Sequence, residues 1–367
     1  MPHIVEFTAP GEVRLAEIEP EELRPGTVRV RTLYSGLSAG TELTAYRGSN
    51  PYLTKRWDPL LHRFEDDAAT FTYPVIGWGY SEIGEVVEIV PAEVAAPIVA
   101  GAGPLHVEPP PLTVGSYVWG AWGHRSDAVV PLERTQARWL PSAVTPLHGV
   151  FARVGAIALN AVLAGDLKIG EVAAIFGQGV IGLLATRLAV LGGVDVVAVD
   201  TLEQRLAVAR AMGAVSVSTL DSRGVADAIR EGARNRRPDV CIELSGSYRA
   251  LHDAIRSAGQ DGTVVAAGFY QGEGVGLRLG EEFHHNRVRL VASQIGAVPS
   301  ALRSRWDVLR LERTFMGMIA DGRMDVSPLL SHVVPASDVA EAYALLDQRP
   351  ADALQVVLDF TGEEKAA

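Results

Sequence analysis

The sequence holds a single cysteine, Cys241, among 367 residues. One cysteine cannot close an intrachain disulfide, and it cannot supply a four-cysteine zinc lobe or a two-cysteine metal site. Cys241 sits in the apolar run DVCIELSG and reads as a small core residue. Positive charge is also short: 33 Lys and Arg against 44 Asp and Glu leave a net charge of −11. No basic run offsets it, which argues against nucleic acid as a partner. Long apolar runs are missing too. No stretch reaches the ~18 uncharged apolar residues of a membrane span. The opening MPHIVEFTAPGEVRL lacks the basic and apolar regions of a secretory signal. The expectation is a cytoplasmic protein with a small-molecule substrate and no membrane partner.

What is present is globular: 48% hydrophobic and 21% charged residues, with length for two ordinary domains. The chain turns on the stretch from Val172 to Asp200. The apolar run at 172–176 has the character of a buried parallel strand. Gly177-Gln178-Gly179-Val180-Ile181-Gly182 follows as a G-x-G-x-x-G. The pattern predicts an apolar helix from Ile181 to about Leu191, ended by Gly192-Gly193, and a second strand from Val194 to Val199 that closes on Asp200. Gly177 allows the tight turn, Gly179 lets backbone approach a pyrophosphate, and Gly182 lets helix and strand pack closely. The helix N-terminus offers unpaired N–H groups to phosphates. Asp200 stands where an acid reaches the ribose hydroxyls, which favours NAD over NADP because a carboxylate repels a 2′-phosphate. Arg205 is the nearby cation that could serve such a phosphate, and it is expected on the outer face of its helix.

Before this stretch, His3–Phe7, Glu12–Ile18 and Thr27–Tyr34 read as strands, the last alternating with period two. Ser35 to Glu42 is a small-residue turn opening a short helix. Residues 48–73 are polar and irregular, with the character of a lid, interface loop or insertion; Trp57 is its candidate substrate contact. After Asp200, helix and strand patterns alternate to Arg287–Ile295, which predicts a parallel, doubly wound sheet. Residues 354–360 form a last strand returning to the first domain.

This order of parts resembles the medium-chain dehydrogenases/reductases, the superfamily of the zinc alcohol dehydrogenases. The likeness rests on the N-terminal β region and on P-x-x-x-x-G-x-x-x-x-G-x-V at 74–86. It rests also on the strand at 115–118, the cofactor unit, the strands DVCIELSG and GTVVAAGF, and HVVPASDVAEAYALL. It implies an α/β protein: a discontinuous GroES-like, partly β catalytic domain over 1–146 and 297–367, and a Rossmann domain over 147–296. It implies a homodimer or homotetramer. The blocks SGLSAGTEL, YRGSNPYLTKRWD, GWGYSEIGEVV and EFHHNRVRLVASQIG are similar to the branch containing bacteriochlorophyllide hydroxyethyl dehydrogenase.

The departures matter as much. Where a zinc member carries a ligating cysteine, this chain has Ser38. Where it carries His-Glu, this chain has Tyr80-Ser81, and its third ligand falls near Ala152. The structural zinc loop is replaced by the cysteine-free segment 91–114. The resemblance therefore implies a member that has lost both metals, with His148, His124 and Glu42 as the residues from which a relocated site would have to be built. Without a metal, a side chain must polarise the substrate oxygen. Tyr80 is the first candidate, with Ser38 and Thr41 as a hydroxyl relay for a phenol of ordinary pKa ~10. His124 is the second. By family position Glu42 orients the loop or makes an internal ion pair. His284, His285 and Asn286, with Arg287, form a polar cluster expected at the carboxyl ends of the strands, on the substrate side. The resemblance places Gly268, Phe269, Ser293 and Gln294 near the nicotinamide, and Ser245 and Gly246 near the adenosine ribose.

The reading is an NAD(H)-dependent, zinc-independent oxidoreductase that interconverts a secondary alcohol and a ketone on a cyclic polyol, sugar or natural-product-like substrate. Two alternatives stand beside it: an NADPH-dependent enoyl or quinone reductase, and a nicotinamide-binding regulatory protein without catalysis.

Overall fold

The computed structural model describes residues 1–66, 68–92, 110–220 and 224–362. Most of the segment expected to replace a zinc loop, residues 93–109, lies outside the described residues. The chain separates into two compact units. One comprises Met1–Arg153 with Met316–Ala367, the other Val154–Phe315.

The second unit is built on a six-stranded parallel sheet. Its order is Val215–Ser218, Asp195–Asp200, Val172–Phe176, Val240–Glu243, Thr263–Ala266 and Arg289–Ala292. Every neighbouring pair is parallel. The central strand Val172–Phe176 is buried at all five positions. That is why it reads as an unbroken apolar run rather than an alternation: both faces are covered. The helix Val180–Leu191 buries Leu183, Leu184, Ala185, Leu188 and Ala189. It ends at Gly192, and Gly193 adopts φ +77°, the left-handed conformation that glycine reaches without penalty.

The first unit is largely antiparallel. Thr27–Gly36 pairs with Glu82–Val90, with Asp127–Pro131 and with the last strand, Gln355–Asp359. The C-terminal segment therefore completes the sheet that the N-terminal segment begins. A parallel partner, Leu330–Pro335, lies on the far side of that last strand. Three aromatic rings tie the two segments together. Tyr343 meets Phe7 edge-on at 5.1 Å and stacks on Tyr46 at 5.6 Å between centroids. All three rings are buried, and each fully buried ring contributes about 1.5–3 kcal/mol relative to exposure.

The irregular segment 48–73 contains an element the sequence pattern did not show. Arg56–Asp58 and Arg63–Glu65 form a two-stranded antiparallel hairpin. Its strands are three residues long, too short for alternation to register. The run Pro146–Ala164 is the helical stretch among the described residues with the length and hydropathy of a membrane span, and 61% of it is buried. Its Phe151, Ala152, Val154, Ala156 and Ala158 are core residues.

The closest backbone approach in the second unit tests the packing argument. A Cβ on Gly182 would lie 1.8 Å from the Gly177 carbonyl oxygen, whereas one on Gly179 meets no heavy atom within 4 Å. Gly182→Ala is expected to cost about 3 kcal/mol or more, since a backbone carbonyl cannot give way as a side chain can. Gly179→Ala is expected to cost about 1 kcal/mol or less. Equilibrium unfolding checks both, and equal stabilities would contradict the account.

Candidate active site

The expected residues fall into two constellations, one in each unit. In the parallel-sheet unit, Gly177 takes φ +85° directly after the central strand, and a Cβ there would strike the Ser245 backbone at 2.8 Å. Gly179 caps the following helix with no side-chain partner. Val180 and Ile181 begin that helix half-buried. The free helix N-terminus and the open space over Gly179 suit a phosphate group approaching the backbone. Asp200 ends the neighbouring strand. Its Oδ2 accepts the Gln178 N–H at 2.6 Å and its Oδ1 accepts the Leu202 N–H at 2.9 Å. The acid thus holds the turn.

Two residues differ from expectation here. Gln178 turns its side chain inward and is fully buried; its amide donates to the Ile175 carbonyl at 2.8 Å and accepts from the Thr186 hydroxyl at 2.9 Å. Only its backbone belongs to the turn. Arg205 does not lie on an outer face. It is half-buried, burial lowers its guanidinium, and the Asp200 charge opposes that shift.

The strand on the other side of Val172–Phe176 ends in a residue the sequence reading missed. Glu243 ends the strand Val240–Glu243 with no exposed surface. Its Oε1 accepts the Ser245 N–H at 2.7 Å and the Ser245 hydroxyl; its Oε2 accepts the Gly246 N–H at 3.1 Å and the Tyr270 hydroxyl. Burial pushes the carboxyl up, while these donors pull it back without cancelling the rise. Gly246, at φ +72°, leaves no room for a Cβ beside the Phe269 carbonyl at 2.9 Å, and one on Gly268 would meet Gly246 N at 2.3 Å. Ser245, Gly246, Gly268 and the exposed Phe269 are thus brought together at the carboxyl edge of the sheet. Ser293 joins the same edge after the last strand, with its N–H on the Ala266 carbonyl at 3.0 Å, and Gln294 accepts the Gly296 N–H at 2.6 Å.

The cluster at 284–287 is placed elsewhere. His284, His285 and Asn286 precede the strand Arg289–Ala292, and in a parallel sheet that is its amino edge. The Asn286 carbonyl accepts the Asp261 N–H at 2.7 Å, and Arg287 grips the Asp261 carboxylate at 2.8 and 2.6 Å. Asp261 itself precedes Thr263–Ala266. These residues therefore sit on the edge opposite the glycine turns, which removes them as substrate contacts at the carboxyl edge.

In the other unit, the turn after Thr27–Gly36 brings Ser38 to Tyr80, hydroxyl to hydroxyl, in a short hydrogen bond. Thr41 lies beside them, its N–H 3.5 Å from Ser38 Oγ. Burial and the Glu42 charge raise the Tyr80 phenol, and the Ser38 and Thr41 hydroxyls and Arg153 only partly offset this. Beneath the pair lies a sealed ionisable cluster. Glu42, Glu82 and His124 all have 0% exposure. Glu42 Oε2 accepts the Ser38 N–H at 2.9 Å and the Tyr343 hydroxyl at 2.9 Å. It also lies 3.0 Å from His124 Nε2, as an ion pair off the line of a hydrogen bond. His124 Nδ1 meets Ser35 Oγ at 2.6 Å and stands 3.8 Å from Glu82 Oε1. Glu82 Oε2 accepts the Trp122 N–H at 2.8 Å. Burial draws the imidazole down, but Glu42 and then Glu82 lift it above its ordinary value. With no exposed surface, His124 is an internal ion-pair partner and not a group that reaches substrate.

Trp57 is exposed on the short hairpin, its ring 5.2 Å from Phe64 and 6.4 Å from His62. His148 faces Ser327 at 3.5 Å instead of joining His124. Among the described residues no group of three His, Cys, Asp or Glu side chains is arranged to hold a metal ion.

Comparison with known proteins agrees with this architecture. A family model described as zinc-binding dehydrogenase matches residues 180–310. The D-guloside 3-dehydrogenase of Escherichia coli K12 is 25% identical over 96% of this chain and 98% of its own. The 2-desacetyl-2-hydroxyethyl bacteriochlorophyllide A dehydrogenase of Cereibacter sphaeroides is 26% identical over 96% of each chain. The solved 2R,3R-butanediol dehydrogenase of Bacillus subtilis superposes with a TM-score of 0.75 at 20% identity, covering 98% of this chain and 99% of that one.

The buried cluster has a signature in stability. Burial first, then Glu42, pushes the Glu82 carboxyl from 4.5 to about 7, despite His124, Trp122 N–H and Ser35. A carboxyl raised in the folded state favours the fold while protonated. That contribution is full below 4.5 and is lost as pH rises through about 7. His124, also raised, contributes in the same direction. Glu82→Gln mimics the protonated form at every pH. Its stability relative to wild type is expected to rise by on the order of 2–3 kcal/mol between about pH 5 and about pH 8. Thermal melts at several pH values check this, and a difference independent of pH would contradict it.

Proposed function

The chain belongs to the medium-chain dehydrogenase/reductase family, and on that premise we propose that it is an NAD(H)-dependent oxidoreductase. It exchanges a secondary alcohol and a ketone on a cyclic polyol or sugar-like substrate without zinc. The observation that carries the reading is the short Ser38–Tyr80 hydroxyl contact; the family resemblance implies that these positions correspond to metal ligands in zinc members. Ser38, Tyr80 with Ser81, and Ala152 offer neutral hydroxyls and a methyl group. This set does not fit a zinc ion, which takes thiolate, imidazole or carboxylate.

The turn at 177–182 fits a dinucleotide, with Gly179 open to a phosphate and Asp200 beside the ribose position. When bound, the nicotinamide supplies the hydride donor or acceptor. The chain's own residues do the rest. A phenol raised above its ordinary value stays protonated at neutral pH, so Tyr80 acts as a hydrogen-bond donor to the carbonyl oxygen and, in the reducing direction, gives that oxygen its proton. Ser38 and Thr41 hold and replenish that proton. Glu42, through the Ser38 N–H, keeps the turn in place. Trp57 offers a flat, exposed face to a sugar-like ring. The names of the sequence relatives, for a guloside and, at 27% identity, for butanediol, support a polyol or sugar-like substrate.

One observation favours a second reading of the cofactor. Arg205, half-buried beside Asp200, is a cation near the position of a 2′-phosphate. Titration with NADH and NADPH decides between them. Tighter binding of NADH is expected, and a clear preference for NADPH would overturn the assignment. For the chemistry, Tyr80→Phe is expected to lower kcat by about 10²–10⁴-fold, with cofactor affinity unchanged. Ser38→Ala is expected to lower kcat by about tenfold. Steady-state kinetics on a panel of polyols and their ketones measures both, and full activity in Tyr80→Phe would remove Tyr80 from the mechanism.

A further inference from the structure

Glu243 is an acid in an unusual place: burial raises its carboxyl, so its charge is fullest on the alkaline side of that raised value. It is fully buried, and the partners that hold it are the Ser245 N–H, the Ser245 hydroxyl, the Gly246 N–H and the Tyr270 hydroxyl, all neutral. Neutral donors favour the ionised form and satisfy its lone pairs, but they do not cancel its charge. A buried carboxylate is normally matched by a cation or abandoned to protonation. Here the fold spends four donors to keep one where no described partner is cationic.

Its position gives that charge a target. The strand order sets Asp195–Asp200 on one side of Val172–Phe176 and Val240–Glu243 on the other. A dinucleotide whose adenosine ribose lies between Asp200 and the Ser245–Gly246 turn, and whose pyrophosphate lies on the helix at Val180, continues across the carboxyl edge toward the Gly268–Phe269 turn, where a Cβ on Gly268 would lie 2.9 Å from Glu243 Oε2. The two redox forms of that half differ by one charge: the oxidised nicotinamide ring is cationic and the reduced ring is neutral. We infer that Glu243 biases the site toward the oxidised cofactor by complementing the positive ring, in addition to anchoring the Ser245–Gly246 and Gly268 turns. The inference rests on the nicotinamide reading given above.

Anchoring and charge complementation predict different results. Loss of an anchor weakens both cofactor forms alike, whereas loss of the charge weakens NAD⁺ more than NADH. Glu243→Gln, measured at about pH 8 by calorimetry with each form, is expected to shift the ratio of the two dissociation constants by about tenfold against NAD⁺, the effect of one buried charge at moderate range. Tyr270→Phe keeps the charge, so its ratio should match wild type. If Glu243→Gln does not fold, the double variant Glu243→Gln/Tyr270→Phe carries the same comparison, because the new amide nitrogen no longer faces a phenol proton. Equal weakening of both forms, or no change, overturns the inference while leaving the cofactor reading intact. Wild-type protein that binds neither form overturns the cofactor reading, and the inference with it.

Discussion

The first unit depends on a carboxylate that water never reaches. Glu42 has no exposed surface, yet it holds the Ser38 N–H and the Tyr343 hydroxyl, and it pairs with His124. One group thereby fixes the turn that presents Ser38 to Tyr80 and ties Tyr343, in the helix Val339–Gln348, to the turn after Thr27–Gly36. Isolated, such a charge would be costly to bury. It is tolerated because His124 supplies an opposite charge and Glu82, on the far side of the imidazole, is pushed toward its neutral form. The positions are mutually dependent. Gly79, for example, has no room for a side chain, since a Cβ would lie 2.6 Å from the His124 ring.

The parallel-sheet unit repeats the arrangement. A buried acid, Glu243, gathers the N–H groups of the turns that border the crevice, and the glycines of those turns are pressed against each other's backbone. In both units, acids inside the fold set the geometry of small, neutral groups in the turns above them. The Ser38–Tyr80 hydroxyl pair is held in the same way. The pair need not find its own support, because the loop that carries Ser38 is anchored from below.

Much of this was legible in the residues. The glycine turn, its flanking strands and Asp200 are local in sequence, and each has a physical reason to be where it is. The alternation of helix and strand, and the return of the last strand to the first sheet, were legible for the same reason. The burial of His124 was not. Its partners Ser35, Glu42 and Glu82 lie far from it along the chain, and a lone histidine at a strand start gives no sign of burial. Glu243 did leave a signal, a single acid closing an otherwise apolar strand, as did Glu82 at the start of its own. The cluster at 284–287 was assigned to the wrong edge of the sheet. Residues that precede a parallel strand lie at its amino end, a topological rule that polar composition does not override.

The central claim is that side-chain hydroxyls at Ser38 and Tyr80 take over the oxygen-polarising role that a metal plays in zinc members of the family. Elemental analysis of the purified protein, paired with NAD⁺-linked oxidation of a cyclic polyol before and after exhaustive chelation, tests it most directly. The account predicts no stoichiometric zinc and turnover unchanged by the chelator. One zinc per chain, with activity lost on its removal and restored on its return, would contradict it.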